Sequence, residues 1–229
     1  MSNISVNSMQ TNQIEYGVYH IPVHLADSLE AQRTLLQSTL LAAQRRLRDF
    51  AQKYNWQAHM KEPFAKLFHV YADKASFDHN LLKICGLDTG LELPSTYCAA
   101  LEQDVLMSVS PELYRTLYPE GDEESAFEKL LTHEMAHRLH IRILGGNEDA
   151  MGGVWFYEGF ALYAAGQFEK NAPALNTAEI WDIVNDPERG SYRRYASVFQ
   201  YFVGKASIQQ LTEMAAKVEF LDWLREISG

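Results

Sequence analysis

Residues 133 to 137 read His133-Glu134-Met135-Ala136-His137, two imidazoles four positions apart around one carboxylate. On an α-helix, positions i and i+4 lie one above the other on a single face. Two imidazoles so placed can grip one zinc ion, and Glu134, about 100° round the helix, can reach a water on that ion. Zinc lowers the pKa of such a water to roughly 7, and a neighbouring carboxylate can then take its proton. The spacing therefore encodes hydrolysis at neutral pH, with His133 and His137 as metal ligands and Glu134 as general base.

A catalytic zinc needs a third protein ligand and a position open to water. The next candidate is Glu158, set in Val154-Trp155-Phe156-Tyr157-Glu158-Gly159-Phe160-Ala161. A carboxylate among aromatic residues is rarely buried without a partner, and a metal ion is one such partner. A surface position, or a salt bridge to an arginine, is the competing account of Glu158. His140, three residues after His137 and on nearly the same helix face, is a reserve ligand or a group behind the ligands.

The pairing of His133-Glu134-x-x-His137 with an aromatic segment ending Glu158-Gly159-Phe160-Ala161 resembles the gluzincin zinc metallopeptidases. The likeness is greatest to the aminopeptidase-N-type, peptidase MA-like branch and its small relatives, and it covers roughly residues 95–205. The spacer to the third ligand is about two residues longer than the family's, a difference that the Gly152-Gly153 loop absorbs. The resemblance implies zinc held by His133, His137 and Glu158, with Glu134 as the base. It also implies a tyrosine that hydrogen-bonds the oxyanion. In Ser191-Tyr192-Arg193-Arg194-Tyr195 that position falls to Tyr192, while Tyr195 stands where the family has glycine. Upstream, Ala99-Ala100-Leu101-Glu102-Gln103 loosely echoes the segment in which the family's glutamate holds a substrate's free amine, which would make Glu102 substrate-binding. In the family, an edge strand there pairs with the bound peptide, a form of β-augmentation.

These residues need elements to hold them. Leu130, Leu131, Met135, Leu139 and Ile143 recur at helical spacing and Gly145-Gly146 is a stop signal, predicting a helix over Glu123–Leu144 with Asp122 as N-cap. Ser28–Tyr54 reads as an amphipathic helix with a stripe of Leu29, Leu36, Leu40, Leu47 and Phe50. Ile14–Val23 reads as a strand ending near Pro22, Ala65–Tyr71 as a strand and Ala75–Cys85 as a helix. Thr96–Val109 reads as one strand or two short ones ending at Pro111, and helices follow Glu158. The expected fold class is α+β. With the resemblance it becomes zincin-like: a small mixed sheet over the motif helix, a helical C-terminal half, and zinc in the cleft between them. Residues 1–60 would form an N-terminal strand plus long helix and 61–229 the metallopeptidase domain, or 14–229 would be one continuous domain.

The 229 residues, 47% hydrophobic, suffice for a large core. A formal charge of −10 disfavours nucleic acid and anionic membranes as partners. No apolar run reaches the length of a membrane span, and the polar Met1–Gln13 lacks the features of a signal peptide, which favours the cytoplasm unless a leader was trimmed. Cys85 and Cys98 form neither a disulfide framework nor a zinc motif. His20, His24, His59, His69 and His79 have no ligand spacing. The reading is a zinc metallopeptidase with a peptide or protein substrate, endo- or exopeptidase being open. Two alternatives stand beside it: a zinc hydrolase acting on a non-peptide amide or ester, and a non-catalytic binding protein of the same fold. The presence of Glu134 favours catalysis.

Overall fold

The structure, a computed structural model, describes residues 15–229. Its sheet has four short strands: β1 (Val23–Leu25), β2 (Leu67–Tyr71), β3 (Ala99–Glu102) and β4 (Val105–Val109). They lie in the order β1-β2-β4-β3; β1, β2 and β4 run parallel, and β3 returns antiparallel on β4. The parallel pairs require crossovers. α1 (Arg33–Lys53) lies between β1 and β2, and α2 (Lys74–Ile84) between β2 and the β3–β4 hairpin. A two-residue turn with Gln103 at φ 52° closes that hairpin and leaves β3 at the edge of the sheet.

After β4 the described chain is helical: α3 (Pro111–Leu117), α4 (Ala126–Ile143), α5 (Val154–Ala165), α6 (Thr177–Asn185), α7 (Tyr192–Val203), α8 (Ile208–Ala215) and α9 (Phe220–Ser228). The α+β class stands. α4 is the central rod. Leu131, Met135, Ala136 and Leu139 are fully buried, and α4 packs against α1, α5 and β3. One apolar cluster joins Leu36 and Leu47 of α1, Phe68 of β2, Leu106 of β4, Leu131 of α4 and Phe199 of α7.

Three expected boundaries differ. The strand over Ile14–Val23 does not form: Ile14 lies outside the described residues, residues 15–22 make a turn and an irregular stretch, and pairing starts at Val23. The buried Gln44 side chain accepts from the Tyr19 N–H at 2.9 Å and donates to its carbonyl at 3.0 Å, so this backbone bonds to α1 and not to a sheet. Helix α4 starts three residues late, after Ser125 in the left-handed region at φ 59°. Asp122 is 3.6 Å from Arg115 and does not cap α4. The helix over Ser28–Tyr54 opens as a 3-10 turn over Asp27–Gln32 before α1. The sequence reading missed α3, although its signal is present: Ser110 caps it by accepting from the Leu113 N–H, and Pro111 takes the first turn, where no N–H is needed.

Candidate metal centre

α4 presents His133 and His137 one turn apart, and α5, packed across it, presents Glu158 to the same point. Gly159 makes that packing close. A Cβ built there would meet the Phe199 side chain of α7 at 2.8 Å, so only glycine lets α7 press onto α5 beside Glu158. α7 begins at Tyr192, which reaches the site from its first turn. The cavity over this cluster holds about 500 Å³ and is walled by α4, the start of α5, the β3 edge, and Arg189 with Tyr192.

The His133 Nε2 lies 3.1 Å from the His137 Nε2 and 3.1 Å from the Glu158 Oε2, and His137 Nε2 is 3.6 Å from the same oxygen. Zinc bonds of 2.0–2.1 Å in a tetrahedron put donor atoms about 3.3 Å apart. The observed triangle brackets that value, and the set of two nitrogens and one carboxylate oxygen suits zinc. Two ring nitrogens facing each other and a buried carboxylate need a shared cation or proton between them. His133 and Glu158 are buried, while His137 is half-buried at the cavity wall. Burial opposes a charge on His133, but the hydrogen bond and charge of Glu158 outweigh it and raise its proton affinity. Burial likewise raises the Glu158 carboxyl, but the facing histidines win and hold it well below the usual carboxylate range. This carboxylate is ionised and directed at the histidines, as a ligand must be.

Glu134 lines the cavity on the same helix, half-buried, with no hydrogen bond or ion pair among the described residues. Burial raises its carboxyl above the ordinary value, partly offset by His133 and His137. Tyr192 is 5.8 Å from His133 between ring centroids. Burial, and then the Glu158 charge, push its hydroxyl well above the ordinary value, so it stays a protonated phenol.

Arg189 was not singled out from the sequence. Its Nη1 lies 2.6 Å from the Glu158 Oε1 and donates to the Tyr192 Oη at 2.6 Å, leaving the phenol proton free to donate elsewhere. Its Nη2 reaches the Tyr157 Oη at 3.4 Å. Burial opposes its charge, but Glu158 outweighs this and holds the guanidinium cationic. The competing account of Glu158 thus holds as well: it faces the histidines with one oxygen and an arginine with the other. Tyr195 fixes the loop carrying Arg189; its hydroxyl accepts from the Gly190 N–H and donates to the Glu188 carbonyl at 3.1 Å. Tyr195 therefore holds a loop that no spacing or motif in the sequence connects to the site.

Glu102 reaches the cavity wall but not the ligand cluster, and lies 3.9 Å from Arg138. Arg138 also donates to the Leu101 carbonyl at 2.9 Å. That carbonyl is on the free edge of the sheet. The Val109 N–H bonds to the Cys98 carbonyl, so pairing alternates and turns Ala99 and Leu101 away from β4. His140, the reserve ligand, is excluded from the cluster: it is fully buried and stacked on Phe160 at 4.3 Å. Helical twist over three further residues turns it into the α4–α5 interface. No helix among the described residues is long and apolar enough to cross a membrane. Comparison with protein-family models, with curated proteins and with solved structures gives no match for this chain.

Proposed function

We propose that the chain is a zinc-dependent hydrolase of zincin-like architecture that cleaves peptide bonds. The observation that carries this reading is the buried triangle of His133 Nε2, His137 Nε2 and Glu158 Oε2, sized for one zinc ion and open on its cavity side. His133, His137 and Glu158 would hold a zinc ion there, which would supply the Lewis acidity that makes water nucleophilic near neutral pH. Glu134, which lines the cavity beside His133 and His137 with no hydrogen bond or ion pair of its own among the described residues, would take the proton of the attacking water and return it to the leaving nitrogen. Tyr192 donates its free phenol proton to the oxygen on which charge develops. Arg189 positions both the Tyr192 oxygen and the outer oxygen of Glu158. A peptide in the cavity would meet the β3 edge at Leu101, which lines the cavity and whose backbone groups turn away from β4. The substrate class proposed is a peptide or protein, met in the cytoplasm.

One observation favours a second reading. Arg138 already occupies the Leu101 carbonyl, which shortens the edge available for strand addition. A short peptide, or a small non-peptide amide or ester, fits such a site better than a long chain. Elemental analysis of wild type beside His137→Ala tests the metal: about one zinc per chain is expected in the first and almost none in the second. Glu134→Gln is expected to keep zinc and lose hydrolysis of peptides, small amides and esters alike. A wild type that takes up no added zinc, or a zinc-loaded Glu134→Gln with full turnover, overturns the mechanism.

A further inference from the structure

Two buried polar atoms beside the ligand triangle have no hydrogen-bond partner among the described residues: His133 Nδ1 and Gln167 Oε1. Both residues line one narrow cavity of about 30 Å³ behind the site, where they are joined by Glu134, Tyr118 and Tyr192. Gln167 is 5% exposed and His133 is 5% exposed, so neither atom has bulk water as an alternative. The Nε2 of His133 is already committed to the His137 and Glu158 side of the ring. The ring nitrogen left without a partner, in the cavity that Gln167 also lines, is therefore Nδ1.

The backbone places Gln167 there at some conformational cost. The helix that carries Glu158 ends at Gly166 in the left-handed region, φ 68°, and the Gln167 N–H turns back to the Leu162 carbonyl at 2.9 Å. Phe168 follows, a buried aromatic residue also at positive φ, 56°. Its N–H is held at 3.2 Å by the Glu123 carboxylate, just ahead of α4. Left-handed residues stand on both sides of this buried carboxamide: Gly166 ends the helix, as glycine commonly does, and Phe168 adopts a conformation uncommon for an aromatic residue.

We propose that Gln167 is the positioning residue of the metal centre: its Oε1 accepts the Nδ1–H of His133, fixing the tautomer and ring plane that present Nε2 as a ligand. A metal-bound imidazole needs its other nitrogen held by an acceptor, and such partners set metal affinity by roughly 10- to 100-fold. The inference rests on the proposed zinc site, but the hydrogen bond it assigns needs no metal and can be read in the metal-free protein. Gln167 also ties the two ligand helices together. It leaves the end of α5, whose Glu158 faces His133, and reaches α4 at that same histidine.

The test uses the full chain as wild type, Gln167→Leu and Gln167→Glu. Long-range ¹⁵N–¹H spectra of the metal-free protein are expected to show a His133 Nδ1–H protected from solvent exchange in wild type and in Gln167→Glu, which keeps an acceptor. In Gln167→Leu the same proton is expected to exchange rapidly while the far-ultraviolet circular dichroism is unchanged. Zinc affinity, read by competition with a chromophoric chelator, is expected to fall about 10- to 100-fold in Gln167→Leu and to be rescued to within about tenfold of wild type in Gln167→Glu. A rapidly exchanging or absent Nδ1–H in wild type, or wild-type zinc affinity in Gln167→Leu, overturns the proposal. A protected Nδ1–H in a wild type that binds no zinc sinks the metal reading and with it the positioning role.

Discussion

His140 shows how much a single helical step decides. It carries the same imidazole as His137, three positions earlier, yet both of its nitrogens are buried without a partner and its ring lies against Phe160. Burial lowers its pKa from 6.5 to about 3, with a smaller push in the same direction from His137. In the unfolded chain it takes up a proton near pH 6.5, and in the folded chain only near 3, so the unfolded state binds more protons between those values. Stability must therefore fall as pH drops through that window, by up to about 1.4 kcal/mol per pH unit. His140→Leu removes this loss. Urea unfolding in the presence of a chelator, at pH 6.5 and at 4.5, is expected to show the variant gaining about 2 kcal/mol on wild type over that interval; a constant difference would refute it. Tyr192 makes a second residue-scale case. Tyr192→Phe keeps the ring packed near His133 but removes the donor, and kcat is expected to fall about 10²-fold with zinc content unchanged. Unchanged kcat in a zinc-loaded variant removes Tyr192 from the chemistry.

Among the elements, α5 does two things at adjacent residues. Glu158 faces α4, and Gly159 lets α7 approach within a distance that a methyl group would block, at 2.8 Å from Phe199. The same contact brings Tyr192, at the head of α7, over the site. Gly159→Ala forces α7 outward and is expected to cost about 1–3 kcal/mol. Because Glu158 and Tyr192 ride on the two helices that separate, zinc affinity is expected to fall with it. Denaturation midpoints and chelator competition check both; a stable variant with native zinc affinity contradicts this account of the packing. β3 is the other decisive element. As the edge strand it brings Leu101 to the cavity wall, but Arg138 from α4 holds the Leu101 carbonyl, so helix and strand together set how much edge a substrate would meet.

For the whole molecule, the proposed ion is a cross-link between two helices separated in sequence by the loop through Gly145, Gly146 and Gly152. A ligand that binds only the folded state stabilises it by mass action, about 2.7 kcal/mol at a free concentration one hundred times its Kd. For a chain of this size that corresponds to a rise in Tm of about 5–10 °C. Melting the metal-free protein with and without added zinc is expected to show that rise, reversed by chelator and absent in Glu158→Ala. An equal rise in Glu158→Ala places the zinc elsewhere. The ligands sit in a continuous core shared by α1, the sheet and α4 through α7, so loss of the ion is expected to lower the midpoint without splitting the transition.

The sequence by itself determined which side chains could meet as metal ligands, because that part of the arrangement is local. His133 and His137 share a helix face by spacing alone, Glu134 follows from the same turn, and the apolar period of residues 130–143 makes the helix that holds them. Glu158 was legible as a carboxylate with no polar neighbours, and the strands at residues 65–71 and 96–109 were legible in their apolar runs. Tertiary structure decided what depends on contact between distant segments. Gln44 drew the backbone at Tyr19 away from a sheet, a side-chain competition that no strand pattern records. Arg189 and Gln167 lie in loops, without periodicity or motif, and reach the site only because α5 ends in a left-handed turn and Tyr195 pins the segment before α7. Arg138 reads as an ordinary helix-surface charge until β3 is laid beside it. Spacing along one helix fixes relative positions through covalent geometry, whereas the groups that orient, cap and neutralise the ligands are fixed by packing among helices, a strand edge and loops far apart in the chain.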